Sequence, residues 1–315
     1  MTIETRSSYA AGSFDFQIDG HEPSAWVKSV EGGWSRAKIG EEAVGSDPQR
    51  LKQISKVEID PITVEFGLIG AKDMLKWIQQ SWNRNNHARR NGQITHADFG
   101  GQAMFEHQFY RALITETTFP TLDGASKEDG YIKCKLQPES VVAKALGSPG
   151  PRSSSNAKPA QKMWTPTAFR LSIDDVDDMQ YANKIDSFTV TLETKTLYVG
   201  ASRLPEIVPL HLKFPSITGT IGLRYAEKLI KWHEQYIRSQ DGAGTKDKHA
   251  LKSGCIEFLS PDCKQTIFRI NLAGVGLAYV GVESSKANAD QIKRVKFELY
   301  VHKMSIEGSS ALGFV

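Results

Sequence analysis

The two halves of this chain can be laid over one another, and that repeat constrains its fold more than any other feature. Phe14-Asp-Phe-Gln-Ile-Asp19 faces Phe169-Arg-Leu-Ser-Ile-Asp174 at an offset of 155 positions, and Met74-Leu-Lys-Trp77 faces Leu229-Ile-Lys-Trp232 at the same offset. Chance rarely holds one offset across about sixty residues, so the match marks a duplicated structural unit. Asn91-Gly-Gln-Ile94 then faces Ser253-Gly-Cys-Ile256 at an offset of 162, which implies a longer loop after the helix in the second half. Tyr131–Leu136 and Val295–Val301 correspond as closing strands.

Between the halves, Gly147 to Ala160 reads GSPGPRSSSNAKPA, without a hydrophobic period and rich in residues that favour extended, solvated backbone. The reading is a first domain at 1–146, a linker at 147–165 and a second domain at 166–315. Each half has the same predicted order. A first strand, Phe14–Ile18 or Phe169–Ile173, alternates apolar and polar residues as a half-buried strand does. A polar hairpin region follows, then a strand, Lys56–Phe66 or Ile207–Phe214. One helix comes next, Ala71–Trp82 or Leu223–Ile237, the latter with Tyr225, Leu229, Trp232 and Tyr236 on one apolar face. Met104–Phe119 with Tyr131–Leu136, and Ile267–Val282 with Val295–Val301, complete the units. Mostly strands with one helix predicts a mainly β (α+β) fold, two tandem β-barrels or sandwiches with a helix packed on each. Trp77 and Trp232, with Phe14 and Phe169, are the repeat-equivalent core positions.

At 315 residues each half can bury its own core. A hydrophobic share of 40% and a charged share of 24% describe a soluble globular protein, and a net charge of +3 selects neither nucleic acid nor an anionic membrane. No apolar run is long enough to span a bilayer, and MTIETRSSYAAGSFDF lacks a signal-peptide core. Three scattered cysteines, Cys134, Cys255 and Cys263, give neither a disulfide framework nor a zinc site. The expectation is folding in a reducing cytoplasm.

The layout resembles the tail-tube family of contractile-tailed phages and contractile injection systems. Phe14 to Gly20 fits the family's opening strand F-x-V-x-I-x-G. Arg203-Leu204-Pro205, the strand Pro209–Phe214 and the helix carrying Trp232 fit its Leu-Pro, strand and Trp-bearing helix. The first half has Gly32-Gly33 where its hairpin begins but lacks the Leu-Pro. Arg111-Ala-Leu-Ile114 and Ala273-Gly-Val-Gly276 stand where the family often has Asn-Ala-Trp-Pro, a departure that suits a tube initiator, adaptor or terminal-ring protein.

The resemblance implies tube-type domains, six to a ring, around a channel. Open strand edges invite a neighbour, and closure satisfies them. Gly33–Lys56 and Phe188–Pro205 are the expected inter-subunit hairpins, with Trp34, Lys38, Ile39, Thr194, Leu197, Tyr198 and Leu204 as contact residues. Their polar composition suits a neighbour better than a domain core. Three chains would then give a pseudo-six-fold ring, adapting a trimeric spike to a hexameric tube. Its partners would be tube, spike or hub, and baseplate proteins, with cargo or DNA in the channel and no membrane. The particle would be assembled in the cytoplasm.

Motifs for bond chemistry are weak, so the expectation is a protein that is not an enzyme, with no cofactor and no metal. Ala273–Gly281 is Gly-rich, but Tyr279 stands where a dinucleotide loop needs its third Gly; a bulged strand is the reading. His87, His96 and His107 match no zinc spacing. Cys255 and Cys263 read as small buried residues. Asn83–Arg90 is basic and could meet a phosphate backbone, or simply end the first helix. Asp174–Asp178 lacks the spaced ligands of a calcium loop and reads as a solvated turn. Two other classes remain open: a monomeric two-barrel ligand-binding module, and an enzyme with dispersed catalytic residues.

Overall fold

The structure is a computed structural model that describes residues 13–19, 27–43, 45, 50–68, 71–83, 88–98, 102–126, 128–151, 164–200, 204–238, 251–283 and 293–308. The first half comprises β1 (Ser13–Ile18), β2 (Val27–Gly32), β3 (Ser35–Ala43), β4 (Arg50–Ile59), β5 (Ile62–Phe66), α1 (Lys72–Trp82), β6 (Arg90–Ala97), β7 (Gln102–Phe119), β8 (Leu122–Asp123), β9 (Ile132–Gln137) and β10 (Ser140–Pro151). The second comprises β11 (Phe169–Ile173), β12 (Ala182–Ile185), β13 (Phe188–Leu197), β14 (Glu206–Lys213), β15 (Ile217–Gly222), α2 (Glu227–His233), β16 (Lys252–Leu259), β17 (Thr266–Val282) and β18 (Arg294–Gly308). The protein is mainly β.

The repeat holds down to single registers. β2 pairs with β5, Val27 opposite Phe66 and Ser29 opposite Glu65, with one residue slipped between. β12 pairs with β15 in the same way, Ala182 opposite Ile221 and Lys184 opposite Thr220. The hairpins correspond too: Arg36, Ile39 and Glu42 face Glu58, Ile54 and Leu51, while Thr191, Thr194 and Leu197 face Lys213, Pro209 and Glu206. Every one of these pairs sits at the offset of 155 read from the sequence. The two hairpin turns even place a left-handed glycine alike, Gly45 (φ 57°) and Gly200 (φ 64°), where a side chain would be strained.

Several predicted elements divide further. Lys56–Phe66 is the end of β4 and all of β5, because Pro61 interrupts the ladder. β14 is followed by β15, which the sequence reading missed. The second helix runs from a 3-10 turn (Leu223–Tyr225) through α2 into a π-helical turn (Glu234–Arg238). Leu229, Trp232 and Tyr236 are buried as expected, but Tyr225 is exposed and stacks on Tyr181 at 4.6 Å. β1 is covered on both faces, with Asp15 and Gln17 buried beside Phe16 and Ile18.

Helix α1 buries Met74, Leu75, Trp77, Ile78 and Trp82 at helical spacing against the sheet. Trp77 is fully buried and its indole N–H donates to the Ala88 carbonyl at 2.9 Å. Its counterpart Trp232 is 6% exposed and packs 6.0 Å from Tyr236. Phe14 and Phe169, partly buried, pack against the core at the outer ends of β1 and β11.

The sheets do not stop at the chain's midpoint. One sheet follows the order β1-β6-β7-β9-β5-β2, with β10 and the second half's β13 also paired to β7. The other follows β11-β16-β17-β18-β15-β12 and ends on the first half's β8. β10 runs to Pro151, past the expected boundary at 146. Trp164, inside the expected linker, is buried, donates to the Leu259 carbonyl at 3.1 Å and packs 5.5 Å from Phe258.

Candidate interaction site at the junction and the hairpins

Strand β13 adds antiparallel to the end of β7, with Phe188, Thr189, Val190 and Thr191 opposite Phe119, Thr118, Thr117 and Glu116. Phe119 is wholly buried, stacked on Phe188 at 5.0 Å and within 6.0 Å of Trp82. The Thr118 and Thr189 hydroxyls meet at 2.8 Å, and Ser187 Oγ donates to the Phe119 carbonyl at 2.9 Å. Beyond β7, β8 pairs with β12, Leu122 opposite Ile185. The strand backbone along this seam is therefore paired, as a buried edge requires.

A second contact clasps the seam. The Glu139 carboxylate is buried (side chain 8% exposed) and accepts from Arg89 Nε at 3.3 Å, from Arg111 Nε and from the Ile207 amide at 3.1 Å. Arg89 also donates to the Ile207 carbonyl at 2.6 Å. Three donors on one carboxylate offset its loss of hydration. On the far side, Gln79 Nε2 of α1 donates to the Ile306 carbonyl of β18 at 3.0 Å.

The hairpin of the second half is thus used inside its own chain. Val190, Leu192 and Ile207 are buried, so this hairpin, expected to be poor in core residues and kept for a neighbouring subunit, docks on the first half. Its contact candidates lie at the margin of that dock: Thr194, Leu197 and Tyr198 are half-buried and Leu204 is exposed. Tyr198 donates to the Val57 carbonyl of the other hairpin at 3.2 Å, and Lys56 Nζ stands 4.6 Å from its ring centre.

The hairpin of the first half, β3–β4, forms a two-stranded sheet by itself. Lys38, Ile39, Leu51 and Ile54 are exposed, Ile39 by 63%. Trp34 stands half-exposed at its base, stacked on His107 at 4.7 Å and 5.9 Å from Phe105. His107 is itself buried, and loss of hydration pulls its pKa below the ordinary 6.5, opposed by a hydrogen bond to the Gly33 backbone and reinforced by His96.

The remaining sequence candidates take structural places. Arg89 and Arg90 are committed, Arg90 to Asp19 and Gln80, so they are not free to meet a phosphate backbone; residues 84–87, His87 among them, lie outside the described residues. The last turn of α1 carries no basic side chain. Asp174–Asp178 is a turn running into a 3-10 helix, with Val176 buried and Asp178 accepting from the Lys228 amide. Ala273–Gly281 is the bulged middle of β17. Cys134 is buried, and burial pushes its thiol up to about 12, which leaves no thiolate for nucleophilic chemistry. Cys255 and Cys263 are not buried as expected: Cys255 alternates outward from buried Ile256, and Cys263 sits in the exposed β16–β17 turn at φ 56°. No group of three His, Cys, Asp or Glu among the described residues could hold a metal ion, and no described helix is long and apolar enough to cross a membrane.

Sequence reasoning missed Glu139, Arg111, Phe119 and Ile207, which make the junction. The repeat held one clue: the counterparts of Glu139 and Arg111 are His302 and Gly274, so the ionic clasp belongs to the first half alone.

No curated protein matches the chain. Among solved structures, it is similar to a chain of the PVC extracellular contractile injection system's sheath–tube complex, at 18% identity and TM-score 0.40, over 45% of this chain and 95% of that one. It is also similar to a chain of the anti-feeding prophage tube-terminating cap, at 20% identity and TM-score 0.39, over 46% and 100%. A third likeness is to a chain of the anti-feeding prophage baseplate, at 14% identity and TM-score 0.35, over 48% and 97%. The model of the T4-like virus tail tube protein gp19 family matches residues 11–141, most of the first half, and the second half repeats the element order of the first.

Proposed function

We propose that the protein is a structural, ring-forming component of a phage-tail-like or contractile injection particle. Three chains supply six tube-type domains to a pseudo-six-fold ring around a channel. The tail-tube family match supports the particle, and one observation carries the ring: β13 of the second half extends the first half's sheet, so two tube-type domains already join edge to edge. The diverged halves suit a tube initiator or adaptor between a trimeric spike and a hexameric tube, with tube, hub or baseplate proteins above and below. The role is a conduit built by strand pairing, without bond chemistry; DNA or cargo would pass through it.

Mass in solution and negative-stain electron microscopy of one sample test this. A three-chain particle with a central hole is expected. A monomer at high concentration, without rings, overturns it in favour of a two-barrel binding module.

A further inference from the structure

Each half carries both sides of the junction described above, yet a single chain uses each side once. β7 and β17 correspond at an offset of 163: Ile114 faces Leu136 and Leu277 faces Leu299, each followed by a slipped residue. The counterparts of Glu116, Thr117, Thr118 and Phe119 are therefore Tyr279, Val280, Gly281 and Val282. The counterparts of Phe188, Thr189, Val190 and Thr191, at 155, are Gly33, Trp34, Ser35 and Arg36. Among the described residues β17 beyond Val275 pairs with β18 alone, and β3 with β4 alone. One acceptor edge and one hairpin remain open.

Resting on the ring reading, we infer that the open hairpin of one copy adds antiparallel to the open end of β17 in the next. Gly33, Trp34, Ser35 and Arg36 stand opposite Val282, Gly281, Val280 and Tyr279. The partner is a second copy because the docked hairpin has the same backbone register as the open one and already fits an edge of the same construction. Open edges of this kind recruit strands.

Side-chain exposure points the same way. Phe119 and Trp82, buried at the internal junction, are 0% and 5% exposed; their counterparts Val282 and Ile237 are apolar yet 56% and 44% exposed. The α1–β18 contact maps to the π-helical turn of one copy against β10 of the next, where Val142 is 48% exposed. Residue types also complement each other. The apolar weight moves from the hairpin (Phe188, Val190) to the acceptor strand (Tyr279, Val280, Val282). The Tyr279 ring lies over Gly281, where a Cβ would meet it, and in this register Arg36 stands opposite Tyr279. Such a contact is head to tail, so it closes into a ring or continues as a filament. It lacks the ionic clasp: Glu139 and Arg111 are replaced by His302 and Gly274, and Ile207 by Lys52. Between copies the seam therefore opens before the chain unfolds.

Cross-linking tests the register. In a background with Cys255→Ser and Cys263→Ser, Arg36→Cys chains are mixed with Tyr279→Cys chains and treated with a short bismaleimide. Both sites are exposed, so folding is not at risk. The mixture is expected to give at least tenfold more cross-linked dimer than either variant alone, and than Arg36→Cys mixed with Val282→Cys. Equal yields from the off-register pair, in a sample whose mass shows multi-chain rings, overturn the docking and leave the ring reading standing. A sample monomeric at high concentration overturns both.

Discussion

The two hairpins share length, register, slipped residue and turn glycine, and have opposite fates. In β13–β14 the positions facing the first half are Val190, Leu192 and Ile207, all buried; at the same places β3–β4 has Ser35, Ala37 and Lys52, all exposed. The backbone that a repeat copies fixes where a hairpin can reach. Side chains then decide whether it is held. Burying an aliphatic side chain is worth about 1.5–3 kcal/mol, so three such residues commit the second hairpin to its own chain. The first hairpin has nothing comparable at those positions, and its exposed apolar residues, Ile39, Leu51 and Ile54, lie farther out along the strands.

The sharpest test of that contrast lies on the acceptor strands. Phe119→Ala should cost about 3–5 kcal/mol in chemical denaturation, because it empties a fully buried site where the halves meet. Its counterpart Val282→Ala should leave the isolated chain within about 0.5 kcal/mol. Equal losses would erase the distinction between a filled and an open edge. Next in size, Ile207→Ala should cost about 2–5 kcal/mol, while Lys52→Ala, at the matching position, should again stay within about 0.5 kcal/mol. If Ile207→Ala proves as mild as Lys52→Ala, the second hairpin is not held by its apolar face.

Glu139→Gln probes the clasp. It removes the charge that Arg89 and Arg111 share and weakens the link to the Ile207 amide. A loss of about 1–3 kcal/mol is expected, with faster amide exchange at Ile207 than in β15. His302→Gln, at the matching site without a clasp, should change neither. Unaltered exchange at Ile207 in the Glu139 variant would show the seam to be held by packing alone.

Much of this was legible in the sequence. Met74, Trp77, Leu229 and Trp232 announced equivalent helices because an amphipathic face has a period that survives divergence. The offset of 155, read from the first strands and the helices, recurs in the strand registers of the two halves. The partner of β13 was not legible, because Phe188, Val190 and Leu192 alternate as any half-buried strand does, whether the covering sheet belongs to its own unit, the other half or another molecule. Glu139 was invisible for a different reason: one carboxylate has no periodicity, and its donors lie 50, 28 and 68 positions away. Cys255 and Cys263 were misjudged because average burial of a residue type says nothing of which strand face or turn it occupies.

The smallest expected effect concerns the base of the open hairpin. His107 is buried under Trp34, and its Nε2 has no hydrogen-bond partner among the described residues. Loss of hydration, with His96 nearby, lowers its pKa from 6.5, while the Gly33 backbone raises it less. His96 is lowered by burial as well. The folded state therefore binds fewer protons than the unfolded one, and stability rises with pH through this window. The contribution is complete above about 6.5 and is lost as pH falls below it. Thermal midpoints should drop between pH 7.5 and pH 5.5, by less than any substitution above causes. His107→Phe, which keeps a flat ring against Trp34 but cannot titrate, should flatten that slope, and His96→Gln added to it should flatten it further. A slope unchanged in both variants would place the acid sensitivity elsewhere. A slope that vanishes, together with rising protease sensitivity of β3–β4 in the wild type at pH 5.5, would identify the docked histidine as what holds the open hairpin at its base, the counterpart of what Val190 and Ile207 do for the closed one.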